Sequence, residues 1–180
     1  MPLRLVGLLV AIVLVLAPRI ADACGVWHMT DVENKLDVEW WINAGLINNA
    51  KKVKVGHLGM TENKDGLSVF KDRKTLYDVA GGKLRKYGKA VATYDDASVS
   101  FGKRVYTFAF DNAPDLHGMP SWTVTVRRGD TVVLESKDAS ALCAFAAAQA
   151  KTGAPLPEAD QKAEIRRRMM FYLAWREVGV

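Results

Sequence analysis

The sequence lacks the short motifs that mark several common enzyme classes. It contains no G-x-S-x-G turn for a nucleophilic serine, no H-E-x-x-H helix for catalytic zinc and no glycine-rich loop for a phosphate. We therefore expect no catalytic residue of these kinds. Missing motifs do not exclude an enzyme that uses an unfamiliar set of catalytic residues, so an unrecognised hydrolase stays as one alternative. Its candidate residues are Asp95, Asp111, Asp115 and His117, although the aspartates are equally typical of turns and loops.

Long hydrophobic runs are also missing. The apolar run Leu5–Ala17 follows Arg4 and is shorter than the roughly 20 residues that span a membrane. Small residues in Ala21–Ala23 then suit signal peptidase, so residues 1–23 are expected to be a cleaved signal peptide. We expect residues 24–180 to form a single globular domain without a transmembrane span, located in the periplasm, at the cell surface or outside the cell.

Cysteine is scarce, with Cys24 and Cys143 and no C-x-x-C pair. Two cysteines in an exported chain predict one disulfide between them. Its loop, from residue 24 to residue 143, would stabilise the fold by about 4–5 kcal/mol in the chain-entropy model. Two alternatives stay open. Cys24 follows the cleavage site and could be lipid-modified, although Ala21 and Asp22 suit that poorly, or both thiols are buried and inert.

Short β-prone runs fill residues 24–136. They are separated by turn-forming pairs, namely Gly81-Gly82, Gly88-Lys89, Asp95-Asp96, Gly102-Lys103 and Gly129-Asp130. A glycine followed by another residue suits a type II′ hairpin turn, since glycine accepts a positive φ. The pattern predicts a mainly β (α+β) fold, in which an antiparallel meander curls into a sandwich or roll with two C-terminal helices packed on it.

The two helices are predicted over residues 138–152 and 157–178. Asp138 would cap the first helix, Gly153 would end it, and Pro157 would begin the second. In the second helix Phe171 and Trp175 fall nearly opposite the face that should dock on the sheet. Either the helix is wedged between two packed elements, or Phe171 and Trp175 contact a partner protein.

Each of the three histidines has a methionine close by. The pairs are His28-Met29, His57 with Met60, and His117 with Met119. Imidazole and thioether are ligands that hold Cu(I), so His117, Met119, His57 and Met60 are candidate copper ligands. The alternative is that these are loop histidines beside methionines that fill the core, in which case no cofactor is expected.

Basic residues form the third feature of a chain with a formal net charge of +5. Strand alternation places Lys83, Arg85, Tyr87 and Lys89 on one face of a hairpin. Such a face would suit an anionic envelope polymer, acidic lipid or an acidic protein. It is also typical of a solvated outer face whose lysines protect a sheet edge. Nucleic acid is not expected, because export removes that partner and the chain contains no recognition motif.

These observations predict an exported, non-enzymatic protein that binds another macromolecule or has a structural role. A periplasmic copper-binding protein is the first alternative and an unrecognised hydrolase the second.

Overall fold

The structure is a computed structural model that describes residues 26–41, 46–49, 54–63, 66–71, 74–116 and 119–179. Cys24 and His117 lie outside these residues, and so does the whole of the predicted signal peptide.

The described residues form an antiparallel sheet whose strands pair in chain order. The strands are β1 (Val26–Asp31), β2 (Leu36–Trp41), β3 (Leu46–Asn49), β4 (Lys54–Asn63), β5 (Gly66–Lys71), β6 (Lys74–Ala80), β7 (Lys83–Lys86), β8 (Lys89–Tyr94), β9 (Ser98–Phe101), β10 (Arg104–Leu116), β11 (Met119–Arg128) and β12 (Thr131–Ala139). Each strand pairs with the next, and β1 pairs with β12 as well as with β2, so the sheet closes on itself. The predicted curled antiparallel meander is confirmed.

Side-chain alternation explains why these segments form strands with one face inward. In β11, Trp122, Val124 and Val126 are buried, whereas Thr123 and Thr125 between them are partly exposed. β-Branched and aromatic residues at this spacing suit a half-buried pleated surface. The inward faces supply the wall of one hydrophobic core.

Glycine determines most of the tight turns. Gly102 and Gly129 have φ of 62° and 59° at the first central position of their hairpins, as the sequence predicts. The turn between β7 and β8 differs, because Lys86 pairs with Lys89 and the central residues are therefore Tyr87 and Gly88. The glycine thus occupies the second central position, and a tyrosine occupies the first.

The two predicted C-terminal helices are present as α1 (Leu142–Thr152) and α2 (Glu158–Val178). Asp138 does not cap α1, since it belongs to β12 and the helix begins after Ala141. α1 ends at Gly153, which has a left-handed φ of 71° and donates its N–H to the carbonyl of Gln149. α2 begins after Pro157, with Glu158 and Asp160 in its first turn. Neither helix is long and apolar enough to cross a membrane.

The closed sheet surrounds α2. The helix is buried around its circumference, at Gln161, Glu164, Ile165, Arg168, Met169, Met170, Phe171, Tyr172, Leu173 and Ala174. The Phe171 ring lies 6.4 Å from the Tyr77 ring of β6, whereas the Tyr172 hydroxyl donates to Asp31 at the end of β1. Since β1 and β6 lie on opposite sides of the closed sheet, a helix that touches both fills its interior.

This position accounts for the apolar residues that one docking stripe cannot hold. Phe171 is 1 % exposed, and half-buried Trp175 lies 5.6 Å from the ring of Tyr172. A helix enclosed on all sides needs apolar residues on all sides. The burial of Phe171 favours packing over a partner contact for this residue.

Candidate functional site

The copper and disulfide predictions fall mostly on side chains outside the described residues. His57 and Met60 belong to β4, Met119 begins β11 and Cys143 lies in α1, which fixes their places in the fold. Both predictions therefore stay predictions. Across the described ranges, no three histidine, cysteine, aspartate or glutamate side chains are grouped closely enough to hold a metal ion.

Of the hydrolase candidates, the structure describes the side chains of Asp95, in the turn between β8 and β9, and of Asp111, in β10. The Asp95 carboxylate accepts hydrogen bonds from the backbone N–H groups of Ala97 at 2.8 Å and Ser98 at 2.7 Å. These bonds lower the pKa of Asp95, which is typical of a turn aspartate and unsuited to a general acid. Asp111 is exposed on β10, and Asp115 lies further along the same strand.

A cleft that the sequence does not predict lies over β1, β2 and β12. It has a volume of about 590 Å³ and is lined by His28, Thr30, Asp37, Glu135 and Lys137, among others. Among its lining residues, the Ser136 hydroxyl donates to the His28 carbonyl at 2.8 Å, whereas the contact between Thr30 Oγ1 and Asp37 Oδ1 is weak at 3.5 Å. His28 is exposed and Met29 is buried, so this histidine–methionine pair points to opposite faces of β1.

A second surface is built from the turns at one end of the closed sheet. In an antiparallel meander, every second turn lies at the same end. The hairpin end, as we call it, comprises turns 32–35, 87–88, 102–103 and 129–130 with the strand residues that flank them. The C-terminus of α2 reaches the same end, where Lys86 Nζ donates to the Val178 carbonyl at 2.6 Å.

Beneath the hairpin end, a buried polar network joins α2 to the turns. Asp31 is 0 % exposed and accepts hydrogen bonds from the Tyr172 hydroxyl at 2.8 Å and the Asn34 backbone at 2.9 Å. Arg176 contacts both Asp31 and Glu33. These bonds satisfy a carboxylate that would otherwise be costly to bury.

The same network neutralises acids of the hairpin end. Arg128 lies 2.6 Å from Glu33, and Arg104 pairs with Glu177. Burial raises the pKa of Glu33, but hydrogen bonds from Arg176 and Arg128 outweigh it and hold that pKa below its usual value. These acidic side chains at the hairpin end are therefore paired with arginines of the protein itself.

Several lysines of the hairpin end are, in contrast, exposed and form no ion pair with any residue that the structure describes. They are Lys35, Lys89 and Lys103. Among the described residues, the exposed acids beside these turns that lack a basic partner are Asp37 and Asp130. The hairpin end thus presents a surplus of positive charge.

Exposed apolar side chains are concentrated at this end as well. The large hydrophobic residues of the described chain that are exposed are Val32, Tyr87 and Val105, at 40 %, 56 % and 44 %. Val32 and Tyr87 lie in turns of the hairpin end, and Val105 follows the turn at residues 102–103. Exposed apolar residues grouped in this way, rather than scattered singly, mark contact surfaces.

Tyr87 also has a costly backbone. Its φ is 48° and that of Gly88 is 78°, a pair of positive values that asparagine and glycine usually supply in type I′ turns. The left-handed conformation costs a residue with a side chain about 1–2 kcal/mol. Here the ring is left largely in solvent, so core packing does not offset that cost. A strained residue of this kind supports a functional hypothesis.

The predicted basic face of the β7–β8 hairpin needs correction. Tyr87 lies in the turn rather than on a strand, and the register shifts between Leu84 and Arg85, so alternation does not run unbroken from Lys83 to Lys89. Arg85 is paired with Asp78 at 2.8 Å. Of the predicted set, Lys89 and Tyr87 belong to the hairpin end, whereas Lys83 lies at the opposite end of β7. Alternation in the sequence predicts which side chains share one face of a strand. Which turns lie at the same end of the sheet follows only from the order in which the strands pair.

Comparison with family models, with curated proteins and with solved structures gives no match.

Proposed function

We propose that this chain is an exported, non-enzymatic binding protein whose hairpin end docks on an anionic polymer of the cell envelope. The single observation that supports it best is the presence of the exposed large apolar residues, Val32, Tyr87 and Val105, at the end where exposed lysines form no ion pair with a described residue. Export rests on the sequence of residues 1–23, which lie outside the described residues.

Two features of the fold favour docking on the outside. α2 fills the interior of the closed sheet, so that space is occupied by the protein's own side chains. The network around Asp31 and Arg176 holds the turns against α2, so the hairpin end is a supported surface and not a set of separate loops. A preorganised surface loses less entropy on binding.

The partner's charge follows from the exposed lysines that form no ion pair within the described ranges. Lys35, Lys89 and Lys103 would approach sulfate, phosphate or carboxylate groups spaced along a polymer, while Tyr87 and Val105 contact its apolar parts. Charges at an exposed surface are screened within about 8 Å at physiological salt. Binding of this kind weakens steeply as salt is added.

The test uses the full chain, with dextran sulfate as the anionic probe and uncharged dextran as its control. The triple variant K35E/K89E/K103E should bind dextran sulfate at least about tenfold more weakly at low salt, since three attractive contacts become repulsive. The control K83E/K137E/K151E makes the same net-charge change at exposed lysines away from the hairpin end. It should lose no more than about threefold.

Equal losses in the two triple variants would show that net charge alone drives binding, and would overturn the proposal. Binding to uncharged dextran as tight as to dextran sulfate would do so too.

A further inference from the structure

A second site candidate lies at the opposite end of the sheet from the hairpin end. There, a cavity of about 130 Å³ separates the turn between β8 and β9 from the first half of α2. Tyr94, Asp95 and Asp96 line it on the sheet side, and Arg166 and Arg167 line it from the helix. A water needs roughly 10–15 Å³ of such space, so the cavity has room for a small polyatomic ion.

Arg166 is the unusual residue of this cavity. Its guanidinium carbon lies 5.6 Å from the centre of the Phe110 ring, and the side chain is partly buried. Among the described residues, its buried Nε has no hydrogen-bond partner and the side chain forms no ion pair. Burial lowers the pKa of Arg166, and the negative charges of Asp96 and Asp95 offset only part of that effect.

The neighbouring charges do not satisfy this guanidinium. Asp95 Oδ1 accepts hydrogen bonds from Ala97 and Ser98 of its own turn. Glu164 accepts from Arg168 Nε at 2.6 Å and lies 3.8 Å from Arg167 Nε, so its two oxygens contact other arginines. Asp96 is exposed at the rim. A half-buried guanidinium whose Nε–H is unpaired and that forms no ion pair among the described residues is an arrangement that a bound oxyanion would complete.

We propose that this cavity binds a small oxyanion, a phosphate or a carboxylate, on Arg166 with Arg167 beside it. The planar fork of arginine donors matches two oxygens of either group. The site is independent of the hairpin end, since it lies at the other end of the sheet and uses none of the same lysines.

The test titrates the full chain with sodium phosphate and, separately, with sodium acetate, at an ionic strength held constant with sodium chloride. Calorimetry measures the dissociation constant, and the thermal midpoint reports binding to the folded state. Saturable binding of phosphate or acetate is the expected result, and the tighter of the two identifies the group. A response that sodium chloride alone reproduces would overturn the proposal, because it would be general charge screening.

The variants locate the site. R166Q should weaken binding at least about tenfold, whereas R127Q, at an exposed arginine on β11, should leave it unchanged. D96N should tighten binding severalfold, because it removes a carboxylate that repels the ligand. If R166Q does not fold, R166K and D96N are used to locate the site, since R166K keeps the positive charge but removes the planar pair of donors. Unchanged binding in both R166K and D96N, or equal loss in R127Q, would place the anion elsewhere. K35E/K89E/K103E should bind phosphate like the unmodified chain, so failure of one proposal is distinguishable from failure of the other.

Discussion

Replacing Phe171 with alanine tests whether α2 fills the closed sheet. The side chain is 1 % exposed and its ring lies 6.4 Å from that of Tyr77. Burial of a phenylalanine side chain is worth about 2–3 kcal/mol in transfer free energy alone. The cavity left among packed neighbours raises the total cost of F171A to about 3–5 kcal/mol. That is a large share of the roughly 5–15 kcal/mol by which domains are stable.

Urea unfolding followed by circular dichroism measures the change. With a slope of about 2 kcal/mol per molar urea, the midpoint should fall by roughly 2 M. V105A, at a residue that is 44 % exposed, should cost less than about 1 kcal/mol and serves as the control. A cost of less than about 1 kcal/mol for F171A would show that the ring is not enclosed. The alternative that Phe171 contacts a partner would then be favoured.

Three further perturbations follow from the turns and the titrating groups. Y87N should raise stability by about 0.5–1 kcal/mol in thermal unfolding, since asparagine tolerates the positive φ at this turn, and a lower midpoint would contradict the strain. Burial, helped by Tyr87, raises the pKa of Tyr77 to about 12. The unfolded state therefore loses this proton first, and stability should fall between about pH 10 and pH 12, a fall that Y77F reduces. For Glu33, burial raises the pKa, but hydrogen bonds and charges from Arg176 and Arg128 together outweigh it and lower the pKa below 4.5. The stability that ionised Glu33 contributes is complete above about pH 4.5 and is lost as the pH falls below that value. E33Q should therefore weaken the loss of stability on acidification. An unchanged dependence of stability on acidic pH would contradict the pairing.

Local chemistry made some of the fold predictable. Gly102 and Gly129 mark their turns because the first central position needs a positive φ, which depends only on the residue itself. Pro157 marks the start of α2 for a similar reason. The prediction that Asp138 caps a helix was wrong, because the strand pattern of β12 continues through it and its pairing with β11 extends to Ala139. The preference of aspartate for a helix N-cap is weak, and hydrogen bonding between β12 and β11 outweighs it at this position.

Long-range arrangement could not be predicted in the same way. Closure depends on β1 meeting β12, and no local pattern states that two strands so far apart in the chain will pair. The run of apolar residues from Met169 to Trp175 did indicate a helix covered on more than one side, but not that the sheet itself would surround it. The hairpin end was missed for the same reason. Lys35, Lys89 and Lys103 are far apart in sequence and share a surface only because alternate turns of a meander lie together.

Hydrogen–deuterium exchange of the full chain, with and without saturating dextran sulfate, tests the docking surface most directly. The account predicts slower exchange at turns 32–35, 87–88 and 102–103, with the turn at residues 81–82 and the exposed residues of α1 unchanged. Protection centred on residues 81–82 or on α1, with the hairpin end unaffected, would contradict it.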